Sequence, residues 1–430
     1  MRRLIEKHRG QLSAGRADAT AAARVLLVGI NYWPEPTGIG PYTTALAEHL
    51  ATRVQSVEVV TGLPTYPHWS VPPAYRRGRL FREERRRVAI TRVKHYVPGQ
   101  PDAARRAMYE ASFLAHVCCV PVRHRPTVVV GVSPALAGAA AAAAMSARYG
   151  ARLVLIVQDL VGPASLQSGV TGGRRLAGVA ARSEQSVLRR ADALVVVSDD
   201  FRATLESYGV PGNRIHTVRN WARVPAPRTD REQTRTSFGW SQDATVILHT
   251  GSMGFKQGLE NVVEAARLAQ GEPRLRWVLM GDGSQFDRLR IAASGLPNLE
   301  FRPLCSDADY GSVLDAADIL LLNERPSVAQ MSLPSKLTSY FSSGRPVAAA
   351  VRPDSATAAE LRLAGAPSPV APSDPAALLQ LIRELAACPE SCAAYGRSQR
   401  DFALRNLSFG RAMRDMEVIL CPSTIATPLT

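Results

Sequence analysis

The sequence predicts an α/β protein with two doubly wound parallel sheets. Short apolar runs alternate with longer segments of helical periodicity in both halves of the chain, which is typical of parallel strands joined by helices. Glycine-containing loops follow several of these runs, and ligands bind open parallel sheets at the carboxyl ends of the strands. A proline-rich stretch near the middle, residues 222–228 (ARVPAPR), separates the two halves.

The composition allows large hydrophobic cores, and the small number of lysines makes two of them candidates for a functional role. The 430 residues are enough for two or three domains, and 46% of them are hydrophobic. The formal charge is +15, and the 52 basic residues include four lysines, Lys7, Lys94, Lys256 and Lys336. A compact ammonium group and a planar guanidinium group are not interchangeable. The lysines in glycine- or proline-bounded loops, Lys256 and Lys336, are therefore informative.

The cysteines and the N-terminus indicate an intracellular protein. The six cysteines form no CxxC pair and no metal-binding spacing with histidine, so we interpret them as reduced thiols. The N-terminal segment lacks the apolar core of a signal peptide. The most apolar long run, residues 135–147, is too short to span a bilayer. We expect a cytoplasmic protein in which residues 1–22 form a flexible basic arm.

The first half begins with a predicted strand at residues 24–30, a loop (NYWPEPTGIG) and a helix from Pro41. Gly38 and Gly40 lie in this loop, where a dinucleotide-binding fold approaches a pyrophosphate. They lack the GxGxxG spacing, so a phosphate contact and a plain turn are both compatible. After a second strand, residues 61–75 (TGLPTYPHWSVPPAY) form a long loop, either a binding loop or a rigid surface loop.

Residues 71–125 carry 13 arginine and lysine residues against 4 acidic ones. Such a block favours anionic partners such as nucleic acid, phospholipid headgroups or a diphosphate-linked substrate. Within it, Met108, Phe113, Leu114 and Val117 recur at near-helical spacing. A basic amphipathic helix on a membrane and a helix facing the core are both compatible with this pattern.

Three further strands are predicted at residues 127–132, 152–157 and 193–197. Asp159 follows the second of them, at the sheet edge where ligands are expected. It is the best-placed carboxylate for catalysis or for contact with a sugar, although an aspartate at a strand end is also an ordinary helix cap.

In the second half, the strand at residues 245–250 runs into a loop with Gly251 and Lys256, and a helix follows. Glycines and a lysine before a helix suit anion binding. The strand at residues 277–280 leads into a turn containing Gly281 and Gly283. The acidic pair Asp307 and Asp309 precedes a helix, so we interpret it as a cap and not as a metal site.

Residues 318–351 form the most informative stretch. Two apolar runs flank a loop with Ser335 and Lys336 and a short helix that ends near Gly344. A helix that begins with Ser-Lys offers backbone N–H groups and a cation to an anion. The sequence therefore predicts a phosphate site at this loop.

Several motifs in order, PEPTGIG, GDG, and PSKL followed by a helix and GRPV, resemble the retaining family 4 glycosyltransferases of the GT-B fold. Within that family they resemble the colanic-acid and exopolysaccharide subgroup, over about residues 24–420. The resemblance implies two Rossmann-like domains facing a central cleft. Residues 23–222 would form the acceptor domain and residues 223–405 the nucleotide-sugar domain, and residues 406–430 would cross back to the first domain.

The resemblance implies metal-independent transfer, with retention, from a UDP- or GDP-sugar to an acceptor hydroxyl. The acceptor would be a lipid-linked saccharide in exopolysaccharide or cell-surface glycan synthesis, or a small molecule. The basic block at residues 71–125 predicts that the first domain docks on an anionic membrane, at the inner face of the cell membrane. No cofactor besides the donor and no nucleic-acid partner is expected. Asp159 is the predicted catalytic residue. The predicted donor-binding residues are Gly38, Gly40, Gly251, Lys256, Gly281, Gly283, Ser335, Lys336 and Leu337.

The chain also departs from the family pattern. Ser252 stands where an arginine is usual, no histidine follows the strand at residues 127–132, and Met331 and Ser339 occupy the positions of a glutamate pair. Glu324 lies too far upstream to restore that spacing. Three alternatives therefore stay open: a natural-product glycosyltransferase, a sugar-nucleotide 2-epimerase, and a non-catalytic GT-B scaffold that binds membranes or nucleic acid. An epimerase needs a carboxylate and a histidine set for acid–base work.

Overall fold

The computed structural model describes residues 21–36, 38–66, 68–100, 102–133, 136–159, 173–327 and 334–422. Its contacts divide the chain into two compact units, residues 1–219 with 410–430 and residues 220–409. The sequence prediction places the same division after residue 222 and the return to the first domain after residue 405. Residues 1–20 of the predicted basic arm and the tail from residue 423 lie outside the described residues.

The first unit contains a sheet of eight strands among the described residues. The strands are β1 (Arg24–Gly29), β2 (Ser56–Thr61), β3 (Leu80–Arg85), β4 (Val88–Val93), β5 (Val128–Ser133), β6 (Arg152–Val157), β7 (Ala193–Val196) and β8 (Ile215–Thr217). Their order is β3-β4-β2-β1-β5-β6-β7-β8. All neighbours are parallel except the antiparallel pair β3–β4. The central strands are buried on both faces, which explains their continuous apolar sequences.

Helices connect these strands. In chain order they are α1 (Gly40–Leu50), α2 (Ala103–Val117), α3 (Leu136–Tyr149), α4 (Gly173–Arg190) and α5 (Phe201–Ser207). Pro41 lies in the first turn of α1, as predicted, because the missing N–H of a proline costs nothing there.

The β3–β4 hairpin has no counterpart among the strands predicted from the sequence. Its turn consists of Arg86 and Arg87, whose φ angles of 46° and 66° are left-handed. Tight hairpin turns of this kind usually carry Asn-Gly or Asp-Gly, so two arginines gave no signal. β3 is also strongly charged and its side chains are exposed or half-buried, as expected for a strand at a sheet edge.

The buried face of helix α2 differs from the apolar stripe that the sequence predicts. Tyr109, Phe113 and Val117 are buried, whereas Met108 is 52% exposed. Residues four apart lie on one helix face, and the buried face is therefore the one that contains Tyr109. The prediction that Met108 belongs to the same stripe is wrong, since Met108 lies on the outer surface.

The second unit contains a five-stranded parallel sheet among the described residues. Its strands are β9 (Thr245–Ser252), β10 (Leu275–Asp282), β11 (Leu299–Arg302), β12 (Ile319–Asn323) and β13 (Val347–Ala350), in the order β11-β10-β9-β12-β13. This arrangement confirms the predicted α/β class with parallel sheets. β9 and β12 are neighbours, and the residues at their carboxyl ends therefore lie at the same edge of the sheet.

Helices cover both faces of the second sheet. They are α6 (Arg231–Phe238), α7 (Glu260–Leu268), α8 (Phe286–Ala292), α9 (Tyr310–Ala316), α10 (Lys336–Ser343), α11 (Ala356–Leu363), α12 (Pro375–Ala387) and α13 (Pro389–Asn406). Two apolar clusters form the core, one on each face, with Trp277 in the first and Tyr340 in the second. The last helix, α14 (Phe409–Leu420), belongs mainly to the first unit, where Glu417 pairs with His49 at 2.7 Å.

Candidate functional site

The carboxyl ends of β9 and β10 pack directly against each other through glycines. A Cβ atom on Gly281 would lie 1.8 Å from the carbonyl oxygen of Gly251, and one on Gly283 would lie 2.7 Å from the carbonyl oxygen of Met253. The Met253 N–H donates to the Asp282 carbonyl at 2.8 Å. Both glycines of the GDG turn are therefore required for packing, whatever they contribute to a ligand.

The loop after β9 is held by the last residue of β12 and by a residue just beyond that strand. The Asn323 side-chain amide donates to the carbonyl oxygens of Gln257 and Gly258 at 2.8 and 2.9 Å. The Arg325 N–H donates to the Lys256 carbonyl at 2.9 Å. The Lys256 side chain is exposed. These hydrogen bonds fix the backbone of the loop, which exposes the Lys256 ammonium group to solvent.

Lys336 reaches the same edge of the sheet from the start of α10. It is partly buried and follows the exposed Ser335. Its Nζ lies 3.2 Å from His249 Nε2 on β9. A Cβ atom on Gly251 would lie 4.0 Å from this Nζ. The structure therefore brings together Lys336 and Gly251, two of the predicted donor-binding residues.

Three titratable groups interact at this edge. Burial lowers the pKa of Lys336 to about 7, and Glu324 acts in the opposite direction. Burial also raises the pKa of Glu324 to about 7, against a hydrogen bond from Thr357 and the charges of Lys336 and Lys256. Burial and the charge of Lys336 hold the pKa of His249 well below its usual range, which leaves a neutral imidazole.

Glu324 lies too far upstream to fit the glutamate spacing of the family, but the structure places it within this site. Glu324 directly follows β12 and is buried. Its N–H donates to the Ala350 carbonyl at 3.0 Å, and its Oε1 accepts a hydrogen bond from Thr357 at 3.1 Å. Because β12 lies beside β9, a residue at the end of β12 lies near the end of β9, although the two are far apart in the sequence. A poorly solvated ammonium group near a carboxyl group of raised pKa would be stabilised by an incoming anion.

Hydroxyl groups support the end of β9. The Thr250 N–H donates to the Tyr340 hydroxyl at 2.9 Å, and the Thr250 hydroxyl lies 3.0 Å from that of Tyr310. Ser339, which stands at a usual glutamate position, also forms a hydrogen bond with Tyr310. Met331, at the other glutamate position, lies outside the described residues.

The structure places Leu337 in the core and corrects the expectation that Asp309 caps a helix. The Leu337 side chain is buried in the core and its N–H donates to the Pro334 carbonyl at 3.1 Å, so its visible role is packing. Asp309 precedes α9 but makes no side-chain capping bond. It instead accepts a hydrogen bond from the Ser306 hydroxyl at 2.7 Å. Among the described residues, no group of three or more His, Cys, Asp or Glu side chains is placed to hold a metal ion.

In the first unit, a buried carboxylate organises the loop that contains Gly38 and Gly40. Glu35 accepts hydrogen bonds from the backbone N–H groups of Thr65 and Tyr66 at 3.0 and 2.9 Å. Burial raises its pKa, against these hydrogen bonds. Gly40 packs on Glu35, and Gly38 has a left-handed φ of 68° beside the Tyr66 ring. The two loops after β1 and β2 thus form one surface.

Aromatic rings continue this surface toward α2. Trp69 packs edge-on against Tyr109, with ring centroids 5.4 Å apart, and the Arg106 guanidinium lies 5.5 Å from the Trp69 ring centroid. His95 packs on Tyr109 at 4.8 Å, and burial lowers the pKa of His95 to about 4. His95 is therefore neutral at physiological pH.

Asp159 lies just beyond β6, at the carboxyl edge of the first sheet, and is half-buried. Residues 160–172, which follow it, lie outside the described residues. Its catalytic role stays a prediction. The helices of the described residues include none with an apolar stretch sufficient to span a bilayer.

Two Rossmann-like units, each built on a parallel or mostly parallel sheet, define the GT-B class of glycosyltransferase. Solved structures share this fold. Anabaena HepE, crystallised with UDP, matches 92% of the chain and 98% of its own length, with a TM-score of 0.66 and 15% identity. WaaG, a glycosyltransferase of lipopolysaccharide biosynthesis, matches 93% of the chain and 100% of its own length, with a TM-score of 0.62 and 16% identity.

Sequence comparison gives the family. Residues 37–221 match the glycosyl transferase 4-like domain. The chain is 34% identical to a protein of Escherichia coli (strain K12) that is named colanic acid biosynthesis glycosyl transferase WcaI. The alignment runs over 334 residues and covers 75% of this chain and 81% of that protein. The chain therefore belongs to the family 4 glycosyltransferases, and it is an enzyme of that class.

Proposed function

We propose that this glycosyltransferase moves a sugar from a nucleotide-diphosphate donor to the hydroxyl of a lipid-linked saccharide, with retention, in exopolysaccharide or cell-surface glycan synthesis. The observation that carries the proposal is the placement of Lys336 and Glu324 around the end of β9, with Lys256 on the adjacent loop. The similarity to WcaI, named for colanic acid biosynthesis, supports the choice of pathway class.

The second unit would bind the donor. Charge develops on the leaving diphosphate as the glycosidic bond breaks, and preorganised cations stabilise it. Lys336 and Lys256 would supply those cations, so we expect transfer without a metal ion. UDP is the first nucleotide to test because HepE was crystallised with UDP and with UDP-glucose. A GDP-sugar remains the second choice.

The first unit would bind the acceptor. The surface made by the loops after β1 and β2 presents Tyr66 and Trp69, and aromatic faces suit both sugar rings and lipid interfaces. Asp159, at the same edge of the sheet, would contact the reacting sugar or hydroxyl. Replacing Asp159 by asparagine should lower kcat while leaving the affinity for UDP unchanged.

The lipid-linked acceptor would bring the first unit to an anionic membrane. Arg85 and Arg86 contribute less to this attraction, because both pair with Glu48, at 2.7 and 2.8 Å, and its single carboxylate offsets one of their two charges. Other arginines of the basic block are exposed, namely Arg77, Arg79, Arg82 and Arg87. Attraction to anionic lipid is worth ~1 kcal/mol for each basic residue near the surface, so these four would be enough for peripheral binding.

Vesicle co-sedimentation tests this part. Binding should increase with the fraction of anionic lipid and decrease with salt, and glutamine at the four exposed positions should weaken it. The control is Arg85→Gln, which removes a charge that is already paired. If the wild-type protein ignores anionic vesicles at low salt, a soluble acceptor such as a natural-product aglycone becomes the better proposal.

The transfer reaction itself is tested with labelled UDP- and GDP-sugars and a lipid extract as the acceptor source. We expect label to move into the lipid fraction with one nucleotide series. Conversion of UDP-GlcNAc to a new sugar nucleotide without any acceptor would instead indicate an epimerase. Absence of transfer and hydrolysis with every donor would contradict the proposal.

A further inference from the structure

The donor site proposed above contains a histidine to which no role has been given. His249 is fully buried on β9, and burial and Lys336 keep its pKa low and its ring neutral. A neutral imidazole has one nitrogen that donates and one that accepts. Nε2 faces two groups, Lys336 Nζ at 3.2 Å and the Ser252 carbonyl oxygen at 3.4 Å.

These two neighbours require opposite states of Nε2. Without a proton, Nε2 accepts a hydrogen bond from the Lys336 ammonium group. With a proton, it donates to the carbonyl oxygen of Ser252. The contact with Lys336 is the shorter one, and hydrogen bonds from charged donors are the stronger kind. Nδ1 has no hydrogen-bond partner of good geometry among the described residues, although the Leu321 carbonyl acts on the ring and opposes the lowering of its pKa. The short contact with Lys336 therefore decides the tautomer, and the favoured state has the ring proton on Nδ1 and Nε2 as the acceptor.

We propose that His249 is a positioning residue that holds the ammonium group of Lys336 at the end of β9 for contact with the donor diphosphate. The ligand in this statement rests on the proposed function, whereas the pairing of the two side chains does not. A lysine carries its charge on a flexible four-carbon stem, so a fixed acceptor restricts where that charge lies. Gly251 leaves the adjacent space open, since it has no side chain facing Nζ.

The groups that act on Lys336 come from two strands. His249 belongs to β9, and Glu324 follows β12 and favours the charged lysine. Lys256, from the loop after β9, acts on Glu324. Lys336 is thus expected to be kept charged by two interactions, one with the Nε2 acceptor atom of His249 and one with Glu324. A variant of His249 without this acceptor atom would lose the first interaction and keep the second.

This arrangement predicts a particular pH dependence for UDP binding. Burial lowers the pKa of Lys336 to about 7 in the empty protein, and a bound diphosphate favours the charged form. Affinity should therefore fall above pH 7, where binding has to take up a proton. The last phosphate ionisation of UDP lies near pH 6, so affinity should first rise and then fall. Without the acceptor, the pKa of Lys336 decreases further and the fall begins at lower pH.

Two amide variants separate positioning from packing. In His249→Gln the amide oxygen reaches about the place of Nε2, whereas in His249→Asn it stops near the place of Nδ1. Calorimetric titration with UDP at pH 7 should give a Kd within about threefold of the wild type for the glutamine variant, and about tenfold weaker for the asparagine variant. The pH at which affinity falls should shift down by about one unit in the asparagine variant only.

Equal binding and equal pH profiles in the asparagine variant and the wild type would overturn the proposal. Equal losses in both variants would overturn it as well, because the ring itself would then matter and not its acceptor. A ligand-free measurement decides the case if a variant misfolds. Ring ¹⁵N spectra should show a bare Nε2 in wild-type His249 and a proton on Nδ1, and a proton on Nε2 would refute the pairing. If wild type bound neither UDP nor GDP, the proposed donor would fail, while these spectra would still decide the role of His249.

Discussion

Replacing Lys336 by methionine should make the second unit more stable while it removes donor binding. The ammonium group is poorly solvated in the empty site, where the pKa of Lys336 is lowered from 10.5 to about 7. At 1.36 kcal/mol per pKa unit, keeping the charge in the folded protein costs up to ~5 kcal/mol. Because Lys336 is partly solvent-accessible, we reduce this to ~2 kcal/mol. Methionine has a similar shape and no charge.

The difference in stability between Lys336→Met and the wild type should depend on pH. Between pH 7 and 10.5, the lysine is protonated in the unfolded chain and neutral in the folded one, so the wild-type protein gains stability as the pH rises through this range. The advantage of Lys336→Met should therefore be full below pH 7 and disappear above pH 10.5. For a unit of this size, ~2 kcal/mol corresponds to ~4–8 °C in Tm.

The assay is a thermal melt of both proteins at several pH values, without ligand and with excess UDP. The matched control is Lys256→Met, whose side chain is exposed; it should weaken UDP binding and leave the Tm of the empty protein unchanged. A Lys336→Met variant that is less stable than wild type at pH 6, or a difference in Tm that does not vary with pH, would refute the reasoning.

Three further predictions concern the same site. Glu324→Gln should stabilise the protein progressively as the pH rises from 4.5 to about 7, the range in which the wild-type carboxyl group stays protonated only in the folded state, and urea titrations at pH 4.5 and 8 measure this. Gly281→Ala should cost ~3 kcal/mol or more in unfolding free energy, because its Cβ atom would overlap the Gly251 carbonyl. The control Gly271→Ala, which meets nothing within 4 Å, should change it by less than ~0.5 kcal/mol. EDTA should leave the initial rate of transfer unchanged, and an EDTA-sensitive rate restored by manganese would point to Asp307 and Asp309 instead.

Most of the fold was predictable because parallel strands buried on both faces give continuous apolar runs. Such runs located β1 and β9 to within about two residues, and the two apolar runs predicted within residues 318–351 are β12 and β13. The β3–β4 hairpin was missed for the opposite reason, since an exposed, strongly charged edge strand followed by an Arg-Arg turn has none of these signals.

The site was predictable only in part. The PSKL and glycine loops indicated Lys336 and Gly251, which the structure brings together. Glu324 and His249 were missed because their positions depend on the adjacency of β9 and β12 and not on spacing along the chain. A histidine inside a buried strand has the same sequence pattern as a core residue, and its contact with Lys336 becomes visible only in three dimensions.

Nucleotide binding at Lys336 tests the central claim most directly. A thermal-shift panel with UDP, GDP and dTDP on the wild type, Lys336→Met and Lys256→Met would show which nucleotide stabilises the fold by mass action. We expect one uridine or guanosine diphosphate to raise the wild-type Tm, a smaller rise with Lys256→Met and none with Lys336→Met. An equal rise in wild type and Lys336→Met would contradict the placement of the donor site at the end of β9.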